Sequence, residues 1–186
     1  MLLDEILDYN SKFVEEEKYL DYKTDKFPNK KLAILSCMDT RLVELLPRAL
    51  NVKNGDVKMV KNAGAIVTDP FDSVVRSLFV AAYELKADEI MVIGHHGCGM
   101  KNFDGASTIS KMKDQGVSDE TLTTLEYAGV NVNDWLQGFE SVETSVQNSV
   151  AILRNHPLLP KDTPVHGLVI DPETGKLDLV TKGYQQ

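Results

Sequence analysis

The chain changes its hydrophobic period many times along its length, and each change marks an element. Residues 1–20 place Leu2, Leu3, Ile6, Leu7, Phe13 and Val14 near helical spacing with acids between them. That predicts an amphipathic helix packed on the body or on a partner subunit. Phe27-Pro28 marks residues 25–31 as a loop. From Lys31 to Cys37 the chain becomes a short apolar run, the pattern of a strand buried on both faces. Helical spacing returns over 41–50 with Leu42, Leu45, Leu46 and Ala49. Asn54-Gly55-Asp56 reads as a turn, 57–61 as a second strand and Asn62-Ala63-Gly64 as a loop. Asp69-Pro70 is expected to open a helix running to about Leu85, because proline suits a first helical turn. A third strand over 89–94 empties into His95-His96-Gly97-Cys98-Gly99.

Residues 104–128 are polar but helical in pattern and divide at Gly116. Residues 133–153 predict one helix with Trp135, Phe139, Val142 and Val146 on its inner face; Tyr83 and Trp135 are expected in the core. Val165–Ile170 is a fourth strand, 171–175 a turn, and 176–180 a last strand antiparallel to the fourth. This alternation implies an α/β fold: a mainly parallel central sheet of four strands plus an antiparallel edge strand, flanked by helices. A length of 186 residues fits one domain spanning 1–186.

Composition narrows the function. With 20 basic and 28 acidic residues the net charge is −8, which argues against a nucleic-acid partner. No apolar run reaches the roughly 18–20 residues a membrane span requires. The first residues carry acids where a secretion signal needs a basic start, so the expected location is the cytoplasm.

There are two cysteines, Cys37 and Cys98, and both fall at predicted strand ends. In a parallel sheet the carboxyl ends of the strands border the ligand crevice. Thiolate and imidazole are the preferred ligands of zinc, and three protein ligands leave a fourth position open. Cys37, His95 and Cys98 supply such a set, with His95 and Cys98 three residues apart on a glycine-flanked turn. A lone mononuclear S₂N set favours zinc over iron. Residues 37, 39 and 41 of an extended chain point the same way, so Asp39 reaches the site that Cys37 lines, with Arg41 beside it. A guanidinium fork keeps such a carboxylate ionised. Two thiolates and a neutral imidazole cancel the formal charge of a zinc ion, so bound water is acidified less than by three histidines. An orienting Asp39–Arg41 pair compensates.

These residues resemble the β-class carbonic anhydrases, in particular their compact, short-chain branch. That family carries Cys-x-Asp-x-Arg after its first core strand and His-x-x-Cys-Gly after its third, here Cys37-Met-Asp39-Thr-Arg41 and His95-His-Gly-Cys98-Gly99. Lys61-Asn-Ala-Gly64, Val75–Tyr83 and His166–Asp171 resemble its Asn-Ala-Gly loop, following helix and final core strand. The likeness spans roughly residues 30–180. It implies one Zn²⁺ per subunit on Cys37, His95 and Cys98, with Asp39 and Arg41 as the orienting dyad. It also implies reversible hydration of CO₂ to bicarbonate and a proton through zinc-bound hydroxide. Gly99, Asn62 and Gly64 would border the substrate, and Val80 would line an apolar pocket for CO₂. The resemblance further implies a homodimer or homotetramer, with the N-terminal helix packing on a partner subunit.

Two positions depart from the pattern: Gly97 stands where compact members often carry Asp, and His96 is not a family ligand. His96 is a candidate proton relay, since the imidazole pKa ordinarily lies near neutrality. Relatives on the same ligands hydrolyse carbonyl sulfide or carbon disulfide, and the motifs do not separate these linear triatomic substrates. A non-catalytic zinc- or bicarbonate-binding regulator is the rival of another class, and Asp39 and Arg41 argue against it. A thiol-redox protein is disfavoured, because there is no Cys-x-x-Cys.

Overall fold

The computed structural model describes residues 1–184. Five strands form one sheet: β1 (Leu32–Cys37), β2 (Val57–Asn62), β3 (Glu89–His95), β4 (Val165–Ile170) and β5 (Leu177–Thr181). Their order is β2-β1-β3-β4-β5; the first three pairings are parallel and β4–β5 is antiparallel. This is the expected four-strand parallel sheet with an antiparallel edge.

Every residue of β1 is buried because both faces of the sheet are covered. Ala33 and Leu35 join one apolar cluster, shared with helices α3 (Ser73–Tyr83) and α7 (Val142–Arg154). Leu32 and Ile34 join the other, with Leu42 and Leu46 of α2 (Leu42–Ala49). Each such leucine or isoleucine contributes about 1.5–3 kcal/mol by leaving water. These two layers clamp the carboxyl ends of β1 and β3 at neighbouring positions, with Ser36 paired to Ile93.

Several helix boundaries differ from the sequence expectation. Helix α3 starts at Ser73 rather than Asp69-Pro70, because the Asp72 carboxylate caps it by accepting the Val75 N–H at 2.7 Å. The single helix expected over 133–153 is two. Helix α6 (Val132–Leu136) ends, the chain runs extended, and α7 begins after the Ser141 cap. The cause is a close approach: a side chain at Gly138 would strike the Met100 carbonyl. There the Phe139 N–H donates to Met100 O at 3.1 Å and the Asn102 N–H to Phe139 O at 2.7 Å. This backbone clasp closes an excursion that carries α4 (Gly105–Asp114), α5 (Asp119–Tyr127) and α6, with α4 and α5 divided around Gly116 as expected. Trp135 and Tyr83 are not core residues. Trp135, on the short α6, is 73% exposed. Tyr83, on the outer face of α3, is 60% exposed, and its hydroxyl donates to Leu158 O at 2.7 Å.

The N-terminal helix α1 (Leu2–Glu15) buries none of its residues, so it does not pack on the body of its own chain. It stops short of residue 20 because Glu17 adopts a left-handed backbone, and a tight turn over Lys18–Tyr22 follows. No helix among the described residues is long and apolar enough to cross a membrane.

Candidate metal centre

Three ligand atoms, one each from Cys37, His95 and Cys98, lie within 4.8 Å of one another, and all three residues are buried. Cys37 is the last residue of β1, His95 the last of β3, and Cys98 follows on the turn. The two sulfurs are 3.9 Å apart. His95 Nδ1 sits 2.9 Å from His96 O, an acceptor only, which puts the ring hydrogen on Nδ1 and leaves Nε2 with its lone pair free. That Nε2 is buried without a hydrogen-bond partner. An orphaned acceptor facing two sulfurs is what a metal ligand looks like, and the S₂N donor set suits zinc.

Backbone donors tune the sulfurs. The Gly64 N–H donates to Cys37 Sγ at 3.3 Å and the Met100 N–H to Cys98 Sγ at 3.4 Å. Burial pushes the Cys37 thiol up, but its closeness to His95 and the N–H groups of Gly64 and Asp39 outweigh burial and bring it down. For Cys98 burial wins; the neighbouring Cys37 sulfur adds to it, and the thiol is pushed up. Burial disfavours a charged His95 ring, yet the adjacent Cys37 thiolate turns the balance upward.

Asp39 stands beside this cluster, its Oδ2 3.7 Å from His95 Nε2. Arg41 grips it with a fork: Nε donates to Oδ1 at 2.9 Å and Nη2 to Oδ2 at 2.8 Å, while the Arg41 backbone N–H donates to Oδ1 at 2.9 Å. The guanidinium holds the Asp39 carboxyl well below the usual carboxylate range. An ionised, fixed acceptor therefore borders the ligand cluster.

The other predicted site residues take varied positions. The space over Gly99 is open, with nothing within 4 Å of where a Cβ would stand. Asn62 spends its amide on the loop: Nδ2 donates to Ile66 O at 2.7 Å and Oδ1 accepts the Ile66 N–H at 3.2 Å. That bracket sets the loop carrying Gly64, whose N–H is engaged by Cys37. His96 is exposed, and its backbone N–H donates to Ile170 O at 3.1 Å. Val80 is not brought to the cluster within one chain. It lines a groove on the outer face of α3 with Phe71, Phe79, Tyr83 and Leu158. Met100 and Ile66 went unnoticed in the sequence because they act through backbone groups, which carry no residue-type signature.

A family model described as carbonic anhydrase matches residues 32–177. The Bacillus subtilis (strain 168) protein "Putative carbonic anhydrase YtiB" is 56% identical over 183 residues, covering 98% of each chain. A carbon disulfide hydrolase of Saccharolobus solfataricus is 32% identical over 185 residues, covering 90% of this chain and 88% of that one. Among solved structures, the β-carbonic anhydrase isoform I of Trichomonas vaginalis superposes with a TM-score of 0.88. It is 34% identical, with 99% of this chain and 100% of that chain covered.

Proposed function

This chain belongs to the β-carbonic anhydrase family, and we propose that it is a zinc enzyme catalysing the reversible hydration of CO₂ to bicarbonate and a proton. The observation that carries the reading is the buried, unpartnered His95 Nε2 facing Cys37 and Cys98, with a locked carboxylate beside it. Cys37, His95 and Cys98 would hold the ion, which when bound would supply the Lewis acidity that makes water a better nucleophile.

The rest of the work belongs to the chain. Asp39, ionised by the Arg41 fork, accepts a hydrogen bond from the attacking water and so aims an oxygen lone pair at the carbon of CO₂. Gly99 leaves room for that molecule. His96, exposed next to the centre, is assigned to the exit path of the proton.

The enzyme acts as a homodimer or a higher homo-oligomer. Supporting this, Leu2, Leu3, Ile6, Leu7 and Val14 of α1 stay more than half exposed, an apolar face with no cover on its own subunit. Val80 joins Phe71, Tyr83 and Leu158 in a second uncovered apolar surface on α3. We assign α1 to a partner subunit.

The competing reading is hydrolysis of carbonyl sulfide or carbon disulfide, favoured by the 32% identical hydrolase. The test is zinc content of the purified protein by elemental analysis, with CO₂ hydration by stopped flow measured beside H₂S release. Stoichiometric zinc with fast hydration and no H₂S supports the proposal. Dominant H₂S release transfers the centre to the hydrolase reading, and failure to take up any zinc refutes both.

A further inference from the structure

The ligands come from two separate segments: Cys37 ends one strand, while His95 and Cys98 bracket a turn after another. The first residue of that turn is tied down by the His96 N–H on Ile170 O at 3.1 Å, and its far end by the Lys101 N–H on Cys98 O at 3.0 Å. The crest between these ties consists of Gly97, Cys98 and Gly99, and its glycines have no side chains to pack. One side chain crosses to it from the Cys37 segment. Arg41 Nη2 donates to Gly97 O at 3.1 Å while also donating to Asp39 Oδ2 at 2.8 Å.

The two hydrogens of Nη2 serve these two acceptors, so a single planar guanidinium fixes the carboxylate and the crest in one rigid unit. Gly97 suits this role. Its φ of +62° turns the peptide in a way that side-chain-bearing residues resist.

We infer that Arg41 is a positioning residue for the metal-holding turn: its Gly97 contact is a strut that sets Cys98 and His95 at ligating distance from Cys37 before any ion arrives. This rests on the zinc reading above and assigns Arg41 a second task beside its hold on Asp39. A strut that pre-forms the cage spares an incoming ion the cost of ordering it, so its loss appears in metal affinity.

The experiment compares zinc affinity, by competition with a chromophoric chelator, for the full-length protein and its Arg41→Ala, Arg41→Lys and Asp39→Ala variants. Thermal melting of each metal-free protein serves as the folding control. Arg41→Ala and Arg41→Lys are expected to bind zinc about tenfold or more weakly; lysine keeps the charge but cannot serve both acceptors in one plane. Asp39→Ala, which retains the guanidinium that donates to the Gly97 carbonyl, is expected to weaken binding less than either Arg41 variant. In cobalt-loaded samples at saturation, the ligand-field bands of Arg41→Lys should shift, because the cage itself has changed. The inference is overturned if both Arg41 variants bind zinc as tightly as the parent. It is equally overturned if Asp39→Ala weakens binding as much as they do, since the effect then passes through the carboxylate. A parent protein that takes up no zinc would instead defeat the functional reading, and the strut with it.

Discussion

The sulfurs of Cys37 and Cys98 lie 3.9 Å apart although 61 residues separate them in the chain. The parallel pairing of β1 with β3 does this, by ending both strands at the same edge of the sheet. Cys98→Ser is therefore expected to lose stoichiometric zinc and CO₂ hydration together, since serine is a poor zinc ligand. Elemental analysis beside stopped-flow assays checks it; full metal retention would remove Cys98 from the ligand set.

Asp39→Ala should keep its zinc and lose hydration turnover by roughly 10²-fold or more, the order expected when a preorganised charge-stabilising group goes. The comparison of metal content with kcat decides it. Loss of metal in parallel with activity would make Asp39 a structural member of the centre rather than a group that acts on substrate.

Asn62 holds both backbone groups of Ile66. Removing that bracket in Asn62→Ala leaves a part-buried carbonyl and N–H unpaired, so the variant should be about 1–3 kcal/mol less stable. Urea denaturation of the metal-loaded protein measures it. Unchanged stability combined with a raised KM would instead place Asn62 against substrate.

A charge at the centre of the α1 apolar face, Ile6→Asp, should shift the protein to smaller assemblies in light scattering coupled to size exclusion. A monomeric parent, or an oligomer indifferent to Ile6→Asp, would deny α1 any part in subunit contact.

Asp56 is buried in the turn just before β2, where it accepts the Lys53 N–H at 3.0 Å and the Asn29 amide at 3.3 Å. Those bonds lower its pKa in the folded state. A carboxyl depressed on folding stabilises the protein above its unfolded value of about 3.9, and that stability is lost as the pH falls through the folded value. Asp56→Asn should consequently be less stable than the parent at pH 7, and the deficit should shrink below about pH 4. Denaturant midpoints across that range test the sign.

These strands were legible because Leu32–Cys37 and the Ile90–Ile93 stretch of β3 are short apolar runs, the pattern of a strand covered on both faces. That Cys37, His95 and Cys98 come together was legible because all three sit at or just past strand ends that a parallel sheet brings to one edge. The break between α6 and α7 was not, because its cause is the Met100 carbonyl pressing on Gly138, a contact between distant positions that no local period records. The same blindness put Trp135 in the core. The Gly64 and Met100 donors were invisible for a different reason, since every non-proline residue carries the same N–H.

The clasp between Met100, Asn102 and Phe139 has an architectural consequence. The chain leaves and re-enters the body through one doorway, so α4, α5 and α6 form a single side excursion between the Cys98 turn and the start of α7.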